Sequence, residues 1–246
     1  MQTENMIYRS HRGGVYYTPE NTMPAFEDAL KQGFAYIETD PQYTKDGVIV
    51  LMHDNTINRT CRNADGSEIQ EKIVVREHTY EELLAYDAGI AKGEAFRGTK
   101  IPRLEELLAA AEGKEVILAL DKKIKTDEMD PFFDLIARYQ TKVCFSCADL
   151  ARIRKIQTRF PDARIDYDGN TLEENLEAVC ELVKPENLLV WLYMDKPNFS
   201  WLVDRVKASE ENCARVKRYA RLGLANINNP YDMMEALGYE PDVIEV

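Results

Sequence analysis

The sequence predicts an α/β fold, a TIM (β/α)₈ barrel, and three observations support that prediction. Short β-rich runs alternate with segments of helical period, as in parallel βα units. Eight such runs fit into 246 residues, and a barrel of this type takes about 250 residues. Gly33 and Gly113 follow two candidate helices and Pro161 follows a third, as helix-ending residues do. An open, doubly wound sheet is the alternative, and the count of eight runs favours the barrel.

The candidate strands are the apolar, β-rich runs of the chain. They are 6–11, 35–40, 116–121, 142–146, 163–167, 188–193, 222–227 and 242–246. Between them, apolar residues recur at the spacing i, i+3, i+4 and i+7 of an amphipathic helix, as in Leu104, Leu107, Leu108 and Ala111. This alternation of strand and helix is the one that a parallel barrel requires.

One segment interrupts the alternation. After an extended run at 48–52, a polar stretch from about 55 to 102 precedes the next clear helix. A structureless loop of that length is uncommon in a compact domain. We therefore expect a small insertion subdomain, with its own hairpin and a short helix at TYEELLAYD, over one end of a single domain that spans 1–246. The KDG sequence at 45–47 predicts a turn.

Composition excludes several classes of function. The net charge is −12 and the lysines and arginines form no long run, so no nucleic-acid partner is expected. No segment reaches the roughly 18 apolar residues of a membrane span, which predicts a soluble protein. The start, MQTENMIYRS, lacks the pattern of a signal peptide. This favours the cytoplasm, or the periplasm or exterior if an export signal has been removed, and nothing in the sequence indicates the oligomeric state.

The five cysteines are an odd number in a long chain, which argues against a disulfide framework. Cys144 and Cys147 form a CxxC pair, but no second pair or histidine partner accompanies it as a zinc site would require. We expect reduced, mostly buried thiols.

Polar side chains with catalytic potential follow the first predicted strands. They are His11 and Arg12, Glu38 and Asp40, His53 and Asp54, and Asp121 with Lys123. Catalytic groups of a barrel gather where its strands end. Each residue alone is consistent with a structural or solvated role, and His78, which lacks comparable partners, is interpreted as a surface residue. The convergence of all of them on the first strand ends predicts an active site.

Three carboxylates in this set indicate a metal. Glu38 and Asp40 are two residues apart and lie on one side of a strand, where burying both unpaired is costly. Asp121 adds a third carboxylate. A hard divalent cation with oxygen ligands, Mg²⁺ or Ca²⁺, would compensate these charges.

The remaining groups suit a phosphate ester. Arg12 can donate two hydrogen bonds to a phosphate and Lys123 adds a point charge. Two histidines, His11 and His53, can divide the tasks of general base and general acid. The glycines after Arg12 allow a close approach of the backbone.

At these residues the sequence resembles the glycerophosphodiester phosphodiesterase family. The resembling motifs are HRGG…PENTMPAF (11–26), YIETDPQYTKDGVIVLMHDNTINRT (36–60), LLAYDAG…FRGTKIPRLEELL (83–108), VILALDKK (116–123) and VCFS (143–146). The resemblance implies a TIM barrel with an insertion after the HD strand. It implies a substrate-assisted reaction in which a glycerol hydroxyl, deprotonated by one histidine, attacks phosphorus while the other protonates the leaving alcohol. Glycerol 3-phosphate and an alcohol such as choline or ethanolamine would be the products of this small-molecule substrate.

The resemblance also gives each residue a role: His11 and His53 as the acid and base, Glu38, Asp40 and Asp121 as metal ligands, and Arg12 and Lys123 as phosphate ligands. Asp121 stands where the family usually has glutamate. LANINNP, which keeps Asn228, replaces the family's WTVN, and the final DVIEV stops before its usual aspartate.

Two other functions stay open at this stage. A phospholipase D-like or phosphatidylinositol-cleaving relative would need an apolar, membrane-facing rim, and the insertion shows none. A catalytically degenerate barrel that only binds phosphoesters is favoured by Asp121 and opposed by the other site residues.

Overall fold

The computed structural model of the protein describes residues 6–194, 206–227 and 229–246, so Asn228 lies outside it. Its strands are β1 (Ile7–Ser10), β2 (Tyr36–Thr39), β3 (Pro41–Tyr43), β4 (Ile49–Leu51), β5 (Ile117–Leu120), β6 (Lys142–Cys147), β7 (Arg164–Tyr167), β8 (Leu188–Tyr193), β9 (Arg221–Ala225) and β10 (Val243–Glu245). Eight of them form a closed barrel in the order β1-β10-β9-β8-β7-β6-β5-β2. The predicted barrel is confirmed, and its closure excludes the open sheet.

The helices follow the strands as the sequence predicts. They are α1 (Met23–Gln32), α2 (Tyr80–Leu83), α3 (Leu104–Ala111), α4 (Met129–Ile136), α5 (Leu150–Arg159), α6 (Glu173–Cys180), α7 (Glu210–Lys217) and α8 (Pro230–Gly238). Gly33 ends α1 in a left-handed conformation with φ of 77°, which glycine adopts without strain. None of the helices in the described parts of the chain combines the length and apolar character needed to cross a membrane.

Residues 10–142 form one compact unit. Within it β2 and β5 pair in parallel, and β3 and β4 form an antiparallel hairpin around the predicted turn at 45–47. Leu104, Leu107 and Leu108 of α3 are fully buried, as their helical spacing predicts.

The stretch 55–102 packs around a buried apolar cluster. A buried cluster joins it to the end of the hairpin and consists of Val50, Met52, Ile57, Cys61, Ile73, Val75, Leu83, Ala88 and Ile101. Single antiparallel bridges pair Thr56 with Val74 and Arg62 with Asp87. The expected short helix is α2, capped by Thr79. That this stretch acts as an inserted subdomain of a single domain stays a prediction.

The second compact unit comprises the chain up to residue 9 together with 143–246. Parallel pairing runs from β6 through β7, β8, β9 and β10 to β1. Trp191 of β8 is buried against Gly223 of β9, where an added Cβ would lie 2.7 Å from the indole ring. The bare backbone at Gly223 therefore makes room for Trp191.

The cysteines fit the expected reduced state. All five are free thiols, and all except Cys180 are buried. Burial raises the pKa of Cys61 to about 12, so this thiol stays protonated and unreactive near neutral pH.

A buried ion cluster lies among the strands of this second unit. Arg9 of β1 contacts Asp166 of β7 at 2.6 Å and Glu245 of β10 at 2.5 Å. The Arg9 guanidinium also stacks 3.6 Å from the centroid of the Trp191 ring. Burial raises the pKa of Asp166, and the charge of Arg9 opposes that rise. Arg9 is thus the cation that two buried carboxylates share.

Replacing Arg9 by leucine is expected to lower the free energy of unfolding by about 3–5 kcal/mol, because it leaves two buried carboxylates without their cation. The loss should grow as the pH rises, since protons neutralise these carboxylates at low pH. Urea unfolding at several pH values measures both effects. Arg164→Leu, at an exposed position on β7, is the control, and equal stability of the two variants would contradict the prediction.

Candidate active site

The ends of β2, β4 and β5 bring the predicted site residues of the first unit together. The backbone N–H of Asp121 donates to the carbonyl of Thr39 at 3.0 Å, which places the first residue after β5 beside the last residue of β2. The N–H of Met52 donates to the carbonyl of Asp40 at 3.0 Å, which places His53 one residue further along. Three separate parts of the sequence therefore converge at one strand end.

Asp40 is at the centre of this group and is only 1% exposed. Its Oδ2 lies 3.7 Å from Nε of Arg12, and its Oδ1 lies 3.7 Å from Nζ of Lys123. The amide of Asn21 donates to Oδ2 at 2.8 Å. Lys123 also lies 3.9 Å from Oδ2 of Asp121. Arg12, Asp40, Lys123 and Asp121 thus form a row in which cationic and anionic side chains alternate at distances of 3.7 to 3.9 Å.

Burial raises the pKa of Asp40, and the neighbouring charge of Asp121 raises it further. The charges of His53, Lys123 and Arg12 oppose this rise. A buried carboxylate beside a second carboxylate holds its negative charge at a cost that an added cation would reduce. Asp40 is thus a buried carboxylate whose negative charge Asp121 opposes and Lys123 and Arg12 stabilise.

Glu38, the carboxylate within β2, lies against the turn that follows β1. Its Oε2 accepts a hydrogen bond from the backbone N–H of Arg12 at 2.8 Å and lies 4.0 Å from Nε2 of His11. Arg12 has a φ of 53°, in the left-handed region. Gly13 follows with φ of 80°, and an added Cβ there would lie 2.7 Å from the ring of Phe26. The HRG turn therefore needs glycine to place both His11 and Arg12 against Glu38.

His53 is oriented by its neighbour in the chain. Its Nδ1 lies 2.6 Å from Oδ1 of Asp54. A carboxylate accepts hydrogen bonds, so it favours the ring form in which Nδ1 carries the proton. Nε2 of His53 is then the nitrogen available to accept a proton.

A further ion network continues from Asp54. Arg59 donates hydrogen bonds to both oxygens of Asp54 and to both oxygens of Glu20. Glu20 also accepts a hydrogen bond from the guanidinium of Arg12 at 2.9 Å. Burial opposes ionisation of Glu20 and Asp54, yet the hydrogen bonds from Arg59 help lower the pKa of each to about 2. Both carboxylates are ionised at neutral pH.

All seven predicted site residues lie within the unit 10–142, and the measured contacts link His11 to Glu38, Arg12 to Glu38 and Asp40, and Lys123 to Asp40 and Asp121. Their catalytic roles stay predictions. Three further residues of the site, Glu20, Asn21 and Arg59, were not among the candidates that the sequence indicates. The PEN and NRT motifs contain them, but only the fold joins Glu20 to Arg59. His78, interpreted as a surface residue, is partly buried and contacts the carbonyl of Val74 at 2.8 Å.

The chain is similar to known proteins over the part that contains these motifs. The model of the glycerophosphoryl diester phosphodiesterase family matches residues 11–225. A glycerophosphodiester phosphodiesterase of Caldanaerobacter subterraneus subsp. tengcongensis is 40% identical over 114 residues, which are 46% of this chain and 44% of that protein. The aligned segment therefore spans less than half the length of this curated relative.

Two solved structures have the same fold. A glycerophosphoryl diester phosphodiesterase of Parabacteroides distasonis superposes with a TM-score of 0.74 at 25% identity, over 97% of this chain and 81% of that one. A phosphodiesterase of Oleispira antarctica, solved in complex with the product sn-glycerol-3-phosphate, gives a TM-score of 0.78 at 18% identity, over 97% and 92% of the two chains. The second similarity concerns the fold alone.

Proposed function

The chain belongs to the glycerophosphoryl diester phosphodiesterase family, whose model matches residues 11–225, and on that basis we propose that it hydrolyses glycerophosphodiesters. The products are glycerol 3-phosphate and an alcohol. The substrate class agrees with the product bound to the Oleispira antarctica phosphodiesterase of the same fold.

One observation carries this proposal: the buried Asp40 carboxylate lies 3.7 Å from both Arg12 and Lys123 and feels the charge of Asp121. Carboxylates are the ligands of a hard divalent cation, whereas arginine and lysine bind phosphate oxygens. A site that holds both kinds of group side by side suits a phosphate ester bound together with a cation.

A divalent cation bound at this site would be held by three carboxylates. Glu38, Asp40 and Asp121 offer carboxylate oxygens, as Mg²⁺ and Ca²⁺ prefer. The raised pKa of Asp40, caused by burial and by Asp121, marks a charge that a cation would stabilise. When bound, the ion supplies neutralisation of the charge that develops on the phosphoryl oxygens.

The two histidines divide the proton transfers. Asp54 holds the proton of His53 on Nδ1, so Nε2 of His53 takes the proton of the glycerol hydroxyl next to the phosphate. The hydroxyl oxygen forms a bond to phosphorus as the bond from phosphorus to the alcohol oxygen breaks. His11, whose Nε2 lies 4.0 Å from a carboxylate oxygen of Glu38, gives a proton to the leaving oxygen. The first step leaves a cyclic phosphate on the glycerol. In the second step His11 takes a proton from water, the water oxygen forms a bond to phosphorus as the bond from phosphorus to the former hydroxyl oxygen breaks, and His53 returns its proton to that oxygen.

The experiment is an assay of the purified protein against glycerophosphocholine, glycerophosphoethanolamine and glycerophosphoinositol. We expect release of glycerol 3-phosphate that stops with a chelator and returns with added Mg²⁺ or Ca²⁺. Binding of the diesters without turnover would favour a degenerate, phosphoester-binding barrel. Turnover that persists after complete removal of metal would contradict the role of the three carboxylates.

A further inference from the structure

We propose that Arg59 is a positioning residue that fixes His53 through Asp54 and Arg12 through Glu20. The inference rests on the proposed function, because it gives Arg59 its importance through the acid-base histidine and the phosphate-binding arginine. Arg59 contacts Asp54 and Glu20, and these two carboxylates in turn contact His53 and Arg12.

The guanidinium of Arg59 serves both carboxylates at once. Nε donates to Oδ2 of Asp54 at 2.7 Å and Nη2 to Oδ1 at 3.2 Å. Nη1 donates to Oε2 of Glu20 at 2.8 Å, and Nη2 also donates to Oε1 at 2.7 Å. Each carboxylate is held by two N–H groups, which fixes its plane as well as its position.

Each carboxylate passes this orientation on to a residue of the proposed reaction. Oδ1 of Asp54 lies 2.6 Å from Nδ1 of His53. Oε1 of Glu20 accepts from Nη1 of Arg12 at 2.9 Å. Arg59 therefore connects two catalytic loops that are distant in the sequence, the loop after β1 and the loop after β4.

The network also affects the charge of Glu20. The side chain of Arg59 is 48% exposed, so solvent screens part of its attraction to the two carboxylates. Glu20 is 14% exposed and has a pKa lowered to about 2 against the effect of burial, so the network keeps it charged where it meets Arg12. Geometry at the site is the property that Arg59 controls.

The consequence for His53 concerns its neutral form. Without Arg59, the partly exposed Asp54 side chain can rotate, and the Nδ1 proton of His53 loses its fixed acceptor. The ring can then place the proton on Nε2, the atom that must accept the glycerol proton. A small loss of alignment at a reacting group can cost about 100-fold in rate.

The test compares Arg59→Gln and Arg59→Lys with Arg97→Gln in the full chain. Arg97 is a matched control, since it is 42% exposed and donates to both oxygens of Glu94 within the same stretch 55–102. Two readouts are taken for each: kcat and KM for release of glycerol 3-phosphate, and the ¹⁵N signals of the imidazole rings. The chain has three histidines, so a His53→Ala spectrum assigns the signals of His53.

In the parent, we expect neutral His53 to carry its proton on Nδ1. In Arg59→Gln, kcat should fall by about 10- to 100-fold and the His53 signals should shift toward the Nε2–H form, while Arg97→Gln matches the parent. Arg59→Lys should stay impaired, because an ammonium cannot orient two carboxylates in the same plane. Full activity in Arg59→Lys would overturn positioning by the guanidinium. Unchanged kcat and unchanged ring signals in Arg59→Gln would overturn the inference altogether.

Glu20→Gln separates the two arms of the network. It weakens the contact with Arg12 but leaves Asp54 bound to Arg59, so KM should rise while the His53 ring signals stay those of the parent. Failure of the proposed function has a different signature, namely a parent protein that releases no glycerol 3-phosphate. The ring signals of Arg59→Gln still decide the inference in that case, because they need no substrate.

Discussion

Replacing His11 or His53 by alanine is expected to lower kcat by about 10²- to 10⁴-fold, the range that general acid-base catalysis contributes. Each variant removes one of the two proton transfers, either the one from the glycerol hydroxyl or the one to the leaving alcohol oxygen. Steady-state release of glycerol 3-phosphate at saturating diester measures the loss. His78→Ala is the matched control, since His78 follows the 3-10 helix Val75–Glu77, contacts the backbone carbonyl of Val74 and belongs to no part of the proposed site.

The double variant tests whether the two histidines act in one step. If they do, His11→Ala with His53→Ala should lose far less than the product of the two single losses, because groups that act as a unit are not additive. Full activity in either single variant would remove the two-histidine mechanism. Losses that multiply would instead assign the histidines to separate, independent steps.

The barrel could be predicted because its signals are local. Each of the eight runs predicted as strands contains or overlaps an observed barrel strand, and helices follow at the expected apolar spacing. The alternation of strand and helix predicts parallel pairing, and eight such units in a chain of this length predict closure into a barrel. The stretch 55–102 was harder to predict, since isolated bridges and a four-residue helix leave almost no periodic pattern.

The candidate site was predicted as far as it depends on strand ends. Polar residues that follow neighbouring parallel strands lie at one edge of the sheet, which predicts that His11, Asp40 and Asp121 lie near each other. The ion network could not be inferred in this way, because Glu20 and Arg59 lie in loops and are 39 positions apart. Asn21 has the same difficulty: its amide reaches Asp40 because its backbone adopts a φ of 54°, which the sequence does not indicate.

The buried cluster of Arg9, Asp166 and Glu245 is a second limit of sequence reasoning. Charged residues inside short strands are expected on exposed faces, and nothing local marks these three as interior. Their burial becomes evident only when β1, β7 and β10 are placed in one sheet, where one arginine compensates carboxylates from two other strands.

Replacing Asp121 by alanine is expected to raise the metal concentration needed for half-maximal activity by at least about 10- to 100-fold, since even partners of metal ligands contribute this much to metal affinity. Asp121 is one of three carboxylates offered to the cation, and its backbone is fixed beside Thr39 at the end of β2. Excess metal should restore part of the rate. Titration of activity with Mg²⁺ and with Ca²⁺ after chelation measures the shift, and Asp127→Ala, at an exposed position on the same loop, is the control.

Lys123→Ala should behave differently from Asp121→Ala, although the two side chains lie 3.9 Å apart. The ammonium of Lys123 binds the phosphate in the proposed site, so its loss should weaken substrate binding and lower kcat. Excess metal should restore neither. Asp121→Glu introduces the residue that the family usually has at this position, and this variant should stay active. If Asp121→Ala keeps the metal requirement of the parent, Glu38 and Asp40 would be the only carboxylates of this set that hold the cation. The charge of Asp121 would then act only on the pKa of Asp40, and the proposed three-carboxylate site would be wrong.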